Sequence, residues 1–326
     1  MKPWEEHLHP LPVPLPPVHG EVLGCYLHRL AEANRTTPGR LAQCISPHAR
    51  VYFTLRTDPL RRWTSAALPR LSIMTGIPIE TLDRSLPAFT HLAARENGTS
   101  PRRGHAYYDL HVICRHCMKR RGISGPVLAH RDPAARLCLK HAIWLDGYCH
   151  YYVGHLDGIV RAQRRHIRLA RMFPDTINAA TKEAVKLTRS WLVAGYQPAL
   201  ARRWHQRAEA LPKQKACYPS LLRYRYDERE SIVTYPEFVS VLGIIADPRW
   251  RALRIHRTSD VAFDRHQETI DAIYTEAERR LSIRTLREMP DARHAFRNDP
   301  LFRWTDARGR GRFDTETDSD PASIVI

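Results

Sequence analysis

The sequence has no run of about 18 apolar residues, so no transmembrane helix is expected. Residues Met1 to Glu21 carry Glu5, Glu6 and many prolines instead of the charged-then-apolar layout of a signal peptide. A cytoplasmic location follows as the expectation. Cysteine is sparse, 7 in 326 residues, and in that compartment it should be reduced or metal-bound, not disulfide-bonded. No P-loop, no Gly-x-Ser-x-Gly and no His-Glu-x-x-His is present, which removes the commonest nucleotide-hydrolase, serine-hydrolase and zinc-protease readings. Acid is also in short supply. Lys plus Arg number 51 against 34 for Asp plus Glu, a formal net charge of +17. Such a surface attracts polyanions, nucleic acid first and an anionic membrane surface second.

What is present suffices for folded cores: 43% hydrophobic residues and 7 Trp. The length suggests two or three compact units. Residues 8–19 (HLHPLPVPLPPV) cannot begin a helix and should run extended. From Glu21 to Asn34 the pattern turns helical, with Val22, Leu23, Tyr26, Leu27 and Leu30 at spacings of three and four. Glu21 is placed to favour the helix N-terminus and Arg29 its far end. Thr37-Pro38 opens a second short helix through Cys44. Thr64 to Leu71 reads as a helix, and Leu71 to Leu82 as an apolar helix end, a turn at Gly76 and a new helix opened by Pro78 and Glu80. That is the outline of a helix-turn-helix, and equally the way any small bundle turns a corner.

Residues 95–106 are polar and mark a boundary. Beyond the cysteine region, helical patterns cover 158–172, 176–193, 199–211, 235–245 and 264–289. The expected organisation is a proline-rich lead-in (1–20), a helix-turn-helix-like domain (21–106), a zinc-binding domain (107–155), a helical C-terminal domain (156–305) and a tail (306–326). The fold class is mainly α with a small zinc-ribbon-like knuckle.

Cys114-Arg-His-Cys117 is a Cys-x2-Cys pair, and Cys138-Leu-Lys-His141 follows after about twenty residues as a Cys-x2-His pair. Two residues between ligands let both side chains of a tight turn face one metal, and the separation suits a ribbon or finger. Three thiolates and one imidazole make a closed tetrahedral shell for one structural Zn2+, with no position left for water or substrate. Cys149 is a further thiol that could substitute as a ligand. Tyr152 stands where a second complete pair would need a cysteine. A zinc-deaminase reading of His19-Gly20-Glu21 with Cys114–Cys117 fails, because Ile113 replaces the expected proline and the pair lies far downstream.

The order of these features resembles the TniQ family of transposon-associated proteins, to which TnsD-type target selectors are related. The matching pieces are Pro12 to Pro17, Gly20-Glu21, Leu27-His28-Arg29-Leu30-Ala31 and the turn region Leu71 to Leu82. Cys114, Cys117, Cys138, His141, Leu145 and Cys149 then match the knuckles. Two positions depart from the pattern: no proline follows Cys138, and the final Cys-x2-Cys is broken at Tyr152. The resemblance covers roughly the first 155 residues. It implies a protein that neither cuts nor joins DNA. Such a protein helps select a target and bridges DNA or a guide complex to an AAA+ ATPase regulator, which recruits the transposase.

The candidate DNA contacts are Arg61 and Arg62, the arginine face Arg161, Arg164, Arg165, Arg168 and Arg171, then Arg202 and Arg203, and Arg249, Arg251 and Arg254 around Trp250. Arginines on phosphates position a protein without reading sequence. Three readings remain open at this point: a non-enzymatic DNA-binding adaptor, a module whose basic helix docks an acidic protein, and a helix-turn-helix transcriptional regulator.

Overall fold

The prolines of the lead-in keep it out of any helix. In the computed structural model, which describes residues 7–46, 66–89, 110–130, 134–146, 150–194, 198–212, 228–255, 263–283 and 299–305, it runs extended. It is fastened to the helices behind it. Leu11 N donates to Met74 O at 2.7 Å. Val13 exchanges two 2.9 Å hydrogen bonds with the Asn34 side chain. Tyr26 Oη donates to Leu15 O at 2.7 Å.

Helix α1 (Leu23–Ala33) is buried on two sides. Leu23, Tyr26, Leu27, Leu30 and Ala31 join a core with α2 (Pro38–Ile45), α3 (Ala67–Thr75) and α4 (Ile79–Ser85). Val22 and Cys25 face the other way, into a cluster with Val112, Met118, Val127 and Leu128. Pro38 begins α2 with Thr37 Oγ1 accepting from Arg40 N at 3.2 Å as its N-cap. Helix α3 extends past Leu71 to Thr75 and ends at Gly76, whose φ of 66° is the left-handed cap that glycine adopts without strain.

Glu21 takes a role other than helix capping. Val22 is the N-cap, and Glu21 lies fully buried just before it. Its carboxylate accepts from Val18 N at 2.9 Å and, in a two-pronged pair, from Arg29 Nε at 2.8 Å and Nη2 at 2.7 Å. A buried charge needs such pairing, and here one ion pair ties the lead-in to α1.

Past the first helices come β1 (Leu110–Val112), α5 (Arg115–Lys119), β2 (Leu128–His130), β3 (Leu137–Cys138) and β4 (Ile143–Trp144). Strands β1 and β2 pair antiparallel, His111 opposite Ala129, and β3 and β4 pair antiparallel, Cys138 opposite Ile143. Val22 N donates to Leu128 O at 2.9 Å, so the ribbon is bonded to the start of α1.

The described residues divide into two compact units, with the break after His150. The second is helical: α6 (Ile159–Met172), α7 (Ile177–Ala194), α8 (Pro198–Ala210), α9 (Glu228–Val233), α10 (Tyr235–Ile245), α11 (Pro248–Ile255), α12 (Phe263–Leu281) and α13 (Pro300–Thr305). Helix α10 is apolar nearly all round and packs against α6, α7 and α12. A helix apolar all round belongs at the centre of a core. Its one buried acid, Glu237, accepts from Arg207 Nη1 at 2.7 Å and Nη2 at 3.0 Å, and from Trp204 Nε1 at 3.0 Å. Helix α12 stops at Leu281, short of the 289 suggested by periodicity. Ser282 turns left-handed (φ 50°), and Arg203 donates 2.6 Å bonds to the carbonyls of Leu281 and Ser282. The chain is mainly helical with a small knuckle, and no helix among the described residues is long and apolar enough to cross a membrane.

Candidate metal centre

Each half of the centre is set by a short turn. Cys114 caps α5 and Cys117 lies within it, with Met118 N donating to Cys114 O at 3.1 Å. One helical turn therefore places both sulfurs on one side. Cys138 ends β3, and His141 N donates to Cys138 O at 3.2 Å. Ala142 is left-handed at φ 50°, which closes the tight return into β4 and leaves Cys138 and His141 side by side.

The four ligand atoms converge. Cys117 Sγ and Cys138 Sγ are 3.8 Å apart. His141 Nδ1 lies 3.5, 3.3 and 3.6 Å from the sulfurs of Cys114, Cys117 and Cys138. A tetrahedral ion with bonds of about 2.3 Å to sulfur and 2.0–2.1 Å to nitrogen has ligand-to-ligand edges of about 3.8 Å and about 3.5 Å. The observed edges match those lengths, so the cluster can hold a metal ion.

Electrostatics point the same way. The hydrogen bond from the Cys114 thiol pulls Cys138 down to about 4. The same contact, with burial, pushes Cys114 well above the ordinary thiol range, and burial with the Cys138 contact raises Cys117. Three thiolates this close repel one another, and a divalent cation is what lets them ionise together. His116 lies beside the set, its ring 5.4 Å from that of His141, and is not one of the four converging ligands. Cys149 falls outside the described residues.

The candidate DNA-contacting arginines separate by environment. Arg161, Arg164, Arg168 and Arg171 are exposed along α6. Their outward direction is set by the opposite face, where Tyr235 Oη donates to Gln163 Oε1 at 2.8 Å and lies 3.0 Å from His166 Nδ1. Arg165 is half-buried, with Nη2 3.5 Å from the point where a Cβ on Gly243 would sit. Arg202 is exposed, whereas Arg203 caps α12. Arg249 pairs with Asp247 at 2.9 Å and lies over Trp250, and Arg251 pairs with Glu183 at 2.9 Å. Arg61, Arg62 and the Arg254 side chain fall outside the described residues. The burial of Arg165 and the capping by Arg203 depend on partners far along the chain, and no local pattern announces them.

A largely helical chain whose first unit carries a Cys3His cluster able to hold a metal ion is the class that fold and site define. Residues 12–145 match the model of the TniQ family, a transposition-associated family, and the rest of the chain lies outside that match. The match takes in the lead-in, α1 to α4 and all four ligands of the knuckle. No curated protein and no solved structure matches the chain.

Proposed function

We propose that this protein is a non-enzymatic, zinc-stabilised adaptor in transposition. It associates with DNA at a target and presents that site to an AAA+ ATPase regulator, which recruits the transposase. The observation that carries this reading is the TniQ match over residues 12–145, with the Cys3His cluster lying inside it. The metal is Zn2+, since three thiolates and an imidazole in tetrahedral array suit it best. A closed shell offers no open coordination position, so the ion braces the fold and performs no chemistry.

The transcriptional-regulator reading has less support. Helix α4 has the place of a recognition helix, yet it is seven residues long and carries Glu80 and Asp83 against one base, Arg84. Acid at that position disfavours a phosphate-lined groove. Helices α3 and α4 instead leave Ile73 and Ile79 exposed, apolar contacts suited to a protein surface.

The test is reconstitution with the AAA+ ATPase of the transposition system to which the protein belongs. Sedimentation of protein, ATPase, ATP and duplex DNA should give a ternary complex that forms only with all components. An ATPase that loads onto DNA equally well without the protein would refute the adaptor role.

A further inference from the structure

Two guanidinium groups meet above Gly243 in α10. Arg280 Nη1 occupies the space that a Cβ there would take, and Arg165 Nη2 lies 3.5 Å from the same point. Two carboxylates lie near this corner among the described residues: Asp247, which pairs with Arg249 and also feels the charge of Arg280, and Glu276. Glu276 accepts from Arg279 Nε and Nη2, both at 2.8 Å, and from Arg280 Nε. Its oxygens are thus taken by Arg279 and Arg280, and among the described residues Arg165 has no acid of its own. Burial, then the charges of Arg280 and Arg279, lower the Arg165 pKa, the signature of a cation held beside cations. A half-buried guanidinium in that position is costly unless an anion joins it.

The same helix carries Arg161, Arg164, Arg168 and Arg171 at steps of three and four, all exposed and with no carboxylate partner among the described residues. At 1.5 Å of rise per residue this row spans about 15 Å, room for several successive phosphates of one strand. Between its arginines the face presents no exposed apolar or aromatic anchor, and Met172 lies at its end. Docking to a protein draws on such anchors, whereas binding to a nucleic-acid backbone does not.

We infer that α6 and α12 form a phosphate-binding surface for duplex DNA, with Arg165 and Arg280 clasping one phosphate over Gly243 and the α6 row following its neighbours. This rests on the DNA-associated reading above and assigns the DNA-binding face to the helical unit, not to the knuckle. The test is fluorescence anisotropy of the full chain on a labelled duplex across a range of salt concentrations. Replacing Arg161, Arg164, Arg168 and Arg171 together by Gln should flatten the slope of log affinity against log salt by about 3–4, since each phosphate left without its arginine removes about 0.9. Because those side chains are exposed, zinc content and melting temperature should not move. Arg165→Gln should flatten the slope by about 0.9 more. A steep wild-type slope that the fourfold variant leaves unchanged overturns the surface and leaves the DNA reading standing. A wild type with no salt-dependent binding overturns both. Loss of binding to polyglutamate in the fourfold variant, with DNA binding intact, also overturns the proposal and assigns the face to an acidic protein.

Discussion

Around the Cys3His cluster the buried apolar group among the described residues is small, Cys114, Ile143 and Leu145, beside strands of two residues each, with Cys117 also packed against the Val112–Met118 cluster. In the second unit every residue of α10 except Pro236 is buried, with α6, α7 and α12 around it. The first arrangement has little apolar surface of its own, and the second has ample. On the proposed reading, a metal ion in the knuckle would do what hydrophobic burial does in the hub. The two regions should therefore come apart under different insults.

The largest effect expected is from metal removal. Structural zinc contributes an apparent binding free energy of about 10–16 kcal/mol. Chelation, or Cys138→Ser, should abolish amide-exchange protection across the β3–β4 turn while α10 keeps its protection. Equal loss in both regions would erase the contrast.

The matching insult to the hub is Glu237→Ala, which strands the Arg207 guanidinium and Trp204 Nε1 in a buried site. Removing one partner of a buried pair costs about 3–5 kcal/mol. Thermal denaturation should show a lower melting temperature with zinc content unchanged.

Acid should act first on the knuckle unit. His150 is fully buried and donates from Nε2 to Val112 O at 3.4 Å. Burial, reinforced by the charges of Arg115 and His116, lowers its pKa from 6.5 to about 4. The folded state holds it neutral while the unfolded state takes up a proton below pH 6.5. Stability is thus complete above that value and falls as pH drops toward 4, by on the order of 2–3 kcal/mol. His150→Leu should flatten the pH dependence of stability in that window, and an unchanged profile would assign it elsewhere.

The smallest change is Gly76→Ala. A Cβ there meets nothing within 4 Å, so only the φ of 66° is strained. Chemical denaturation should report a loss of about 1 kcal/mol, confined to the first unit.

The ligands are readable in the sequence, because Cys-x2-Cys and Cys-x2-His are local spacings and local turns place them. The longer helices of the second unit, α6, α7, α8, α10 and α12, are readable from periodicity for the same reason, whereas α9, α11 and α13, six to eight residues each, are too short to show a period and escape it. What escapes is long-range. Glu21 looks like a helix-start acid until the Arg29 guanidinium folds back onto it. Glu237 stands in the first turn of α10, yet its carboxylate is taken by Arg207 and Trp204 from α8. Arg165 and Arg203 read as members of an exposed basic face, yet Gly243, Arg280 and the end of α12 give them other surroundings. Charge patterns name the residue type, and only packing decides whether a guanidinium meets water, a carbonyl or another guanidinium.

The structural role proposed for the knuckle depends on a closed shell of three sulfurs and one nitrogen within residues 12–145, the segment that matches the TniQ family. X-ray absorption at the zinc edge of the purified protein probes that shell without any substitution. One zinc per chain is expected, with three sulfur neighbours at about 2.3 Å and one nitrogen at about 2.0–2.1 Å. A four-sulfur shell would replace His141 with another thiol, Cys149 being the nearest in sequence. An oxygen neighbour would open the shell and contradict the structural role outright.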